Sequence, residues 1–126
     1  MTSEGSAVTR LQRALGNSRT SAAQIRAIAA ELPTVGLEDA LAILLALLER
    51  EPQTFSRAAA RWGGRLTLER RLSLVDAQLA LASLAALPGP GARAGAEALI
   101  ELADRHGLRR VDELLVDWLR ARGIGE

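Results

Sequence analysis

The side chains able to do acid–base, nucleophilic or metal chemistry are few. The chain holds one histidine, no cysteine and no tyrosine, so a catalytic base or nucleophile has little to draw on. His106 stands directly before Gly107, in the last turn of an expected helix. A histidine there satisfies terminal carbonyls and suits the negative end of the helix dipole. An enzyme would require a cleft in which His106 meets a carboxylate. Glu49 with Glu51, and Asp112 with Glu113, lie two and one positions apart on helices and do not point together. Glu97 and Glu101 share a face, but Arg93 and Arg105 stand one turn to either side, which describes a salt-laced surface. Histidines and acids show no zinc or calcium spacing, and neither a phosphate loop nor a nucleophile elbow occurs. Gly89-Pro90-Gly91-Ala92-Arg93-Ala94-Gly95 has the wrong spacing for a dinucleotide loop and follows a helix instead of a strand. No cofactor or metal is therefore expected.

A different chemistry is suggested by Arg57, Arg61 and Arg65, spaced i, i+4 and i+8, with Arg50 upstream, Arg70 and Arg71 downstream, and Trp62 alongside. On a continuous helix these guanidinium groups form a stripe able to hold phosphates or an acidic protein surface. The competing reading is a solvated face whose arginine stems cover apolar surface and whose heads pair with Glu49, Glu51 or Glu69. We take Arg57, Arg61, Trp62, Arg65 and Arg70 as the candidate partner-binding set.

The elements that must position this set are helices. Of 126 residues, 48% are hydrophobic but only 2% aromatic, so alanine and leucine build the core, a composition suited to close helix packing. The length is that of one domain. A polar tail over 1–6 is expected to precede a single helical domain over 7–123. Val8, Leu11 and Leu15 mark a short first helix before Gly16-Asn17. Ser21 and Gln24 form a capping box for a second, with Ile25, Ile28, Ala29 and Leu32 on one face until Pro33. Leu37 to Glu51 reads as a central helix, acidic in its first turn and stopped by Pro52. Thr54 opens a fourth helix through Trp62, where Gly63-Gly64 either stop it or bend it, at roughly 1 kcal/mol per glycine if they remain helical. Ser73 with Asp76 caps a fifth, to about Leu87, whose uncharged second half predicts a second buried helix. After Pro88-Gly89-Pro90-Gly91 comes a sixth, with Ala96, Leu99, Ile100 and Ala103 on one side and Gly107 as its stop. The seventh alternates Leu108, Val111, Leu114, Leu115, Trp118 and Leu119 with charge.

Two stretches echo one another. Ser21 to Trp62 and Ser73 to Trp118 each run capped helix, Leu-Pro, glycine-marked turn, apolar helix, tryptophan-bearing helix. A unit of about 55 residues, repeated, is one explanation; the general likeness of alanine- and leucine-rich hairpins is the other. The expected fold is all-α: a six- to seven-helix bundle, or a short helical stack of armadillo or HEAT-like plan if a three-helix unit is duplicated. The signature residues of those repeats are absent.

Sixteen basic residues, all arginine, nearly cancel fifteen acids for a formal charge of +1, so no global field draws the chain to nucleic acid or lipid. The longest uncharged stretches, Ala40 to Leu48 and Leu79 to Leu87, fall well short of the roughly 20 residues of a membrane span. Met1 to Ser6 carries an acid where a secretion signal carries positive charge, and without cysteine nothing demands an oxidising compartment. A cytoplasmic location is the expectation. A recognition helix cannot be found in Ser21 to Leu45, because the second helix opens Leu37-Glu38-Asp39, acidic where phosphate would approach. The leading expectation is a noncatalytic protein–protein interaction module, an adaptor or subunit of a larger assembly. The alternative is a small helical subunit binding nucleic-acid backbone in a nucleoprotein complex. Leucines left exposed once the fold closes would signal a homo-oligomer.

Overall fold

The computed structural model describes residues 35–123 continuously, together with Ser21, Ala23, Gln24 and Ala27. The tail over 1–6, the first helix and the apolar face from Ile25 to Leu32 lie outside the described residues. The capping box is present: Ser21 N–H donates to Gln24 Oε1 at 2.8 Å, and Gln24 N–H donates to Ser21 Oγ at 3.1 Å.

The described part is all-helical. α1 spans Leu37–Arg50 and ends where Pro52 opens a single 3-10 turn, Pro52–Thr54. α2 is Phe55–Arg70, α3 Leu74–Ala86, α4 Ala92–Arg105 and α5 Arg109–Ala121. Each packs on its neighbours in the chain, and α1 closes on α5. Among the described residues the five helices close around one core. α1 is central, as its composition predicts, burying Leu37, Leu41, Leu44, Leu45, Ala46, Leu47 and Leu48. α4 and α5 bury Ala96, Leu99, Ala103, Val111, Leu115, Trp118 and Leu119 at helical spacing, while Ile100 and Leu114 sit at the core's edge.

α2 settles the alternatives left open at Gly63-Gly64: it runs through them to Arg70. Packing overrides their poor propensity: a Cβ on Gly63 would lie 2.7 Å from Leu81 Cδ2, so its absence lets α3 come close. Gly64 meets nothing within 4 Å and costs helix stability without return. Gly64→Ala should therefore raise stability by about 0.5–1 kcal/mol, read as a higher urea midpoint at unchanged slope. One expectation is corrected: α3 is not a buried helix. It buries only Ala80, Ser83 and Leu84, and exposes Leu74, Val75, Leu79 and Leu81.

The helix ends follow local chemistry. Ser73 Oγ accepts from Asp76 N–H at 3.1 Å and starts α3. α4 closes in a Schellman arrangement, with Leu108 N–H donating to Ala103 O and Gly107 N–H to Asp104 O. Gly107 takes φ +69° there, a left-handed conformation glycine reaches without a Cβ penalty. α2 closes on Arg71 at φ 51°, the one non-glycine residue with positive φ among those described.

Candidate functional site: the arginine face of α2

Because α2 is unbroken, Arg57, Arg61 and Arg65 stand on one outward face, at 3.6-residue periodicity. Arg57 and Arg61 are exposed and Arg65 half-exposed. Arg65 Nε donates to Glu69 Oε2 at 2.9 Å. Among the described residues neither Arg57 nor Arg61 has an ion-pair partner. Glu49, one of the acids expected to counter them, pairs instead with Arg122 from the end of α5. Sequence reading missed Leu68. It lies seven positions after Arg61, on the same face, and is 80% exposed; its spacing from Arg61 was the available signal.

Beside this face, α1 and α2 leave a groove of about 330 Å³ lined by Ala40, Ile43, Leu44 and Leu47 from α1 and Ala58, Arg61, Trp62 and Arg65 from α2. Its floor is apolar and its α2 rim carries two guanidinium groups. Trp62 belongs to the floor. It is 4% exposed, and its Nε1–H donates to Leu37 O at 3.0 Å, so it backs the groove and offers no open ring face. Arg70 is separated from the stripe. It turns to the far flank of α2, where Nη2 donates to His106 O at 3.1 Å and caps the end of α4.

That contact belongs to a second cluster. Asp76, in the first turn of α3, accepts from both Nη groups of Arg105 at 3.3 Å and faces His106 Nε2 at 3.1 Å. His106 thus ends a helix, as expected, and also meets a carboxylate. Facing an ionised carboxylate, Nε2 carries the proton. The space behind the pair, bordered by Trp62, Leu66, Leu102 and Val111, is about 10 Å³, room for one water molecule at most. The arrangement ties the start of α3 to the end of α4, with Arg70 bringing in α2. The hydrogen bond from His106, and then those from Arg105, hold the Asp76 carboxyl below its ordinary value of 3.8. A depressed folded-state pKa means stability fully present above the unfolded value and lost as pH falls through the folded one. Asp76→Asn should lower the melting temperature at pH 7 and flatten its fall with acid below about pH 4; superimposable melting-versus-pH curves for the two proteins would count against this.

Another groove, about 520 Å³, runs between α4 and α5. Ile100, Val116 and Leu119 floor it, with Glu97, Glu101, Asp104 and Asp112 against Arg93 and Arg120. Arg93 pairs with Glu97 at 3.7 Å, the salt-laced surface expected of this face, whereas Arg105 is committed to Asp76. Among the described residues no group of three His, Cys, Asp or Glu side chains is placed to hold a metal ion, and no helix is long and apolar enough to cross a membrane. No family model, curated protein or solved structure matches the chain.

Proposed function

We propose that the chain is a noncatalytic helical interaction module, an adaptor or a subunit of a larger assembly, that receives an acidic amphipathic segment of another protein along the α1–α2 groove. The observation that carries this reading is the pairing of two guanidinium groups without an ion-pair partner among the described residues, Arg57 and Arg61, with exposed Leu68 and an apolar groove. Guanidinium groups bind carboxylates in two-pronged geometry, and apolar anchors at i, i+3 and i+4 of a docked helix fill a groove of this kind. Arg65 and Trp62 shape the groove. Arg70, donating to His106 O, stands apart from the groove. A cytoplasmic setting fits a chain without cysteine. We further propose that the capped segment from Ser21 and the stripe Val8, Leu11 and Leu15 complete a six- or seven-helix bundle. The echo of about 55 residues is the support for a duplicated three-helix unit.

The test is selection from a random peptide display library on the immobilised full chain. Enriched peptides should carry Asp or Glu interleaved with Leu, Ile or Phe at helical spacing. Their binding should fall at least about tenfold, on the order of 1.4 kcal/mol or more, in the triple variant Arg57→Glu, Arg61→Glu, Arg65→Glu, with an unchanged circular dichroism spectrum. Equal binding by the triple variant would remove this site. Enrichment of nothing acidic, combined with retention on single-stranded nucleic acid that falls by about one power of salt per phosphate neutralised, would transfer the face to the nucleic-acid reading.

A further inference from the structure

The groove between α4 and α5 departs in one half from the salt-laced surface that its spacing predicts. Arg93, Glu97, Glu101 and Arg105 stand one turn apart along α4, a spacing that sets a cation beside each acid. Arg93 takes Glu97 at 3.7 Å. Arg105 instead turns across to Asp76 on α3, and Glu101 is left without an ion-pair partner among the described residues, as are Asp104 and Asp112. Residues 106–108 alone join α4 to α5, so Asp104 and Asp112 flank the closed end of this hairpin and Arg93 and Arg120 its open end. Arg120 is met by Asp117 at 4.0 Å. The unpaired charge of the groove is therefore all negative and gathers toward the closed end, over a floor of Ile100, Val116 and Leu119.

Folding accounts for one of these three acids. Asp112 stands in the first turn of α5, where the positive end of the helix dipole favours a carboxylate. Asp104 stands in the last turn of α4, the end that disfavours one. Glu101 lies one turn from both Glu97 and Asp104, where like charges repel. Two exposed carboxylates are thus held where the fold gains nothing from them.

We infer that the α4–α5 groove is a second docking surface and that its occupant is a basic amphipathic helix of another protein. Charge complementarity selects that partner. Its Lys or Arg side chains supply the cations that Glu101 and Asp104 lack, while the same carboxylates turn away phosphates and acidic segments. The apolar floor asks for Leu, Ile or Val at i, i+3 or i+4, and i+7 of the docked helix. α4, with 14 residues, gives a trough of about 21 Å, the length of roughly four helical turns. α2 of a second copy is basic as well, but its outward face offers one exposed large apolar side chain, Leu68, against a floor of three. The inference is independent of the α1–α2 reading, because α4 and α5 are the two helices that α2 does not adjoin. With both grooves filled, the chain joins an acidic partner to a basic one.

Selection from a random peptide display library on the immobilised full chain should enrich peptides with Lys or Arg interleaved with Leu, Ile or Val at helical spacing. Their binding should fall at least about tenfold in the double variant Glu101→Lys, Asp104→Lys. The melting temperature of that variant should not drop, since Asp104→Lys puts a cation at the helix end that favours one. Glu69→Lys makes the same charge change as Glu101→Lys on exposed α2, away from the groove, and should leave binding unchanged. Equal losses in these two single variants would reduce the effect to overall charge and overturn the inference. An enriched pool without basic amphipathic peptides would overturn it as well. Self-association of the full chain in sedimentation velocity, lost in the double variant, would give the groove to a second copy instead. The variant Arg57→Glu, Arg61→Glu, Arg65→Glu should still bind the basic peptides, so failure at the arginine face and failure here are read separately.

Discussion

Replacing Gly95 with alanine should destabilise the fold by about 1–3 kcal/mol, and with valine by more, although alanine is the better helix former by about 1 kcal/mol. Gly95 lies in the first turn and a half of α4, where that helix crosses α3. A Cβ built there falls 2.5 Å from the carbonyl oxygen of Ser83 and 3.1 Å from Ala86 Cβ. The first of these neighbours is backbone of the last turn of α3 and cannot turn aside as a side chain can. The two helices must separate by several tenths of an ångström along their contact, and a close-packed interface loses dispersion contacts over its whole length for such a shift. Chemical denaturation should show the midpoint falling without a change in slope, and the melting temperature dropping by roughly 4–8 °C per kcal/mol for a domain of this size. Gly64→Ala is the matched control, since its Cβ meets nothing. If both alanine variants stabilise the chain, α3 and α4 do not approach as closely as described.

Gly95 also illustrates what local spacing hides. In the sequence it closes a run of glycines and prolines that belongs to a turn, yet it sits inside α4 and its missing side chain is what the interface uses. The same limit applies to Asp76. Ser73 and Asp76 announce a helix start three residues apart, and that start is present, but nothing in the spacing says that the carboxylate crosses to residues 105 and 106. Periodicity reports which residues leave water, not what they meet. For α1, α4 and α5 that was enough, because their apolar stripes face the domain's own core and Pro52 and Gly107 mark their ends unambiguously. For α3 it failed in an instructive direction. An uncharged helix reads as buried, and composition alone does not separate a helix sunk in the core from one that leaves Leu74 and Val75 exposed. The candidate partner face was legible as an i, i+4, i+8 pattern of arginine, but its quality depended on α2 continuing through Gly63-Gly64, which propensity argues against and packing against Leu81 decides. The departure of Arg70 to the end of α4 depended on a contact between helices that no local pattern encodes.

The two tryptophans are equivalent in the sequence echo and should behave differently under the same substitution. Trp62 is buried, with its indole N–H bound to Leu37 O at 3.0 Å, fastening the middle of α2 to the first turn of α1 and flooring the groove. Trp62→Ala removes both packing and bond and should cost about 3–5 kcal/mol. Trp62→Phe keeps most of the packing, and the cost of about 1–2 kcal/mol then expected is largely that of the lost hydrogen bond. Trp118 is buried on α5, its ring covered by the Arg122 guanidinium 4.7 Å from the centroid, but its Nε1 finds no acceptor among the described residues. A buried donor without a partner carries its desolvation cost in the native state. Trp118→Phe removes that donor while keeping an aromatic face for Arg122, and the relief offsets the lost volume. Its cost in urea denaturation should therefore fall below that of Trp62→Phe, reaching neutrality if the smaller ring is accommodated. An equal or larger loss at Trp118 would show that ring volume, and not the fate of the indole N–H, separates the two positions.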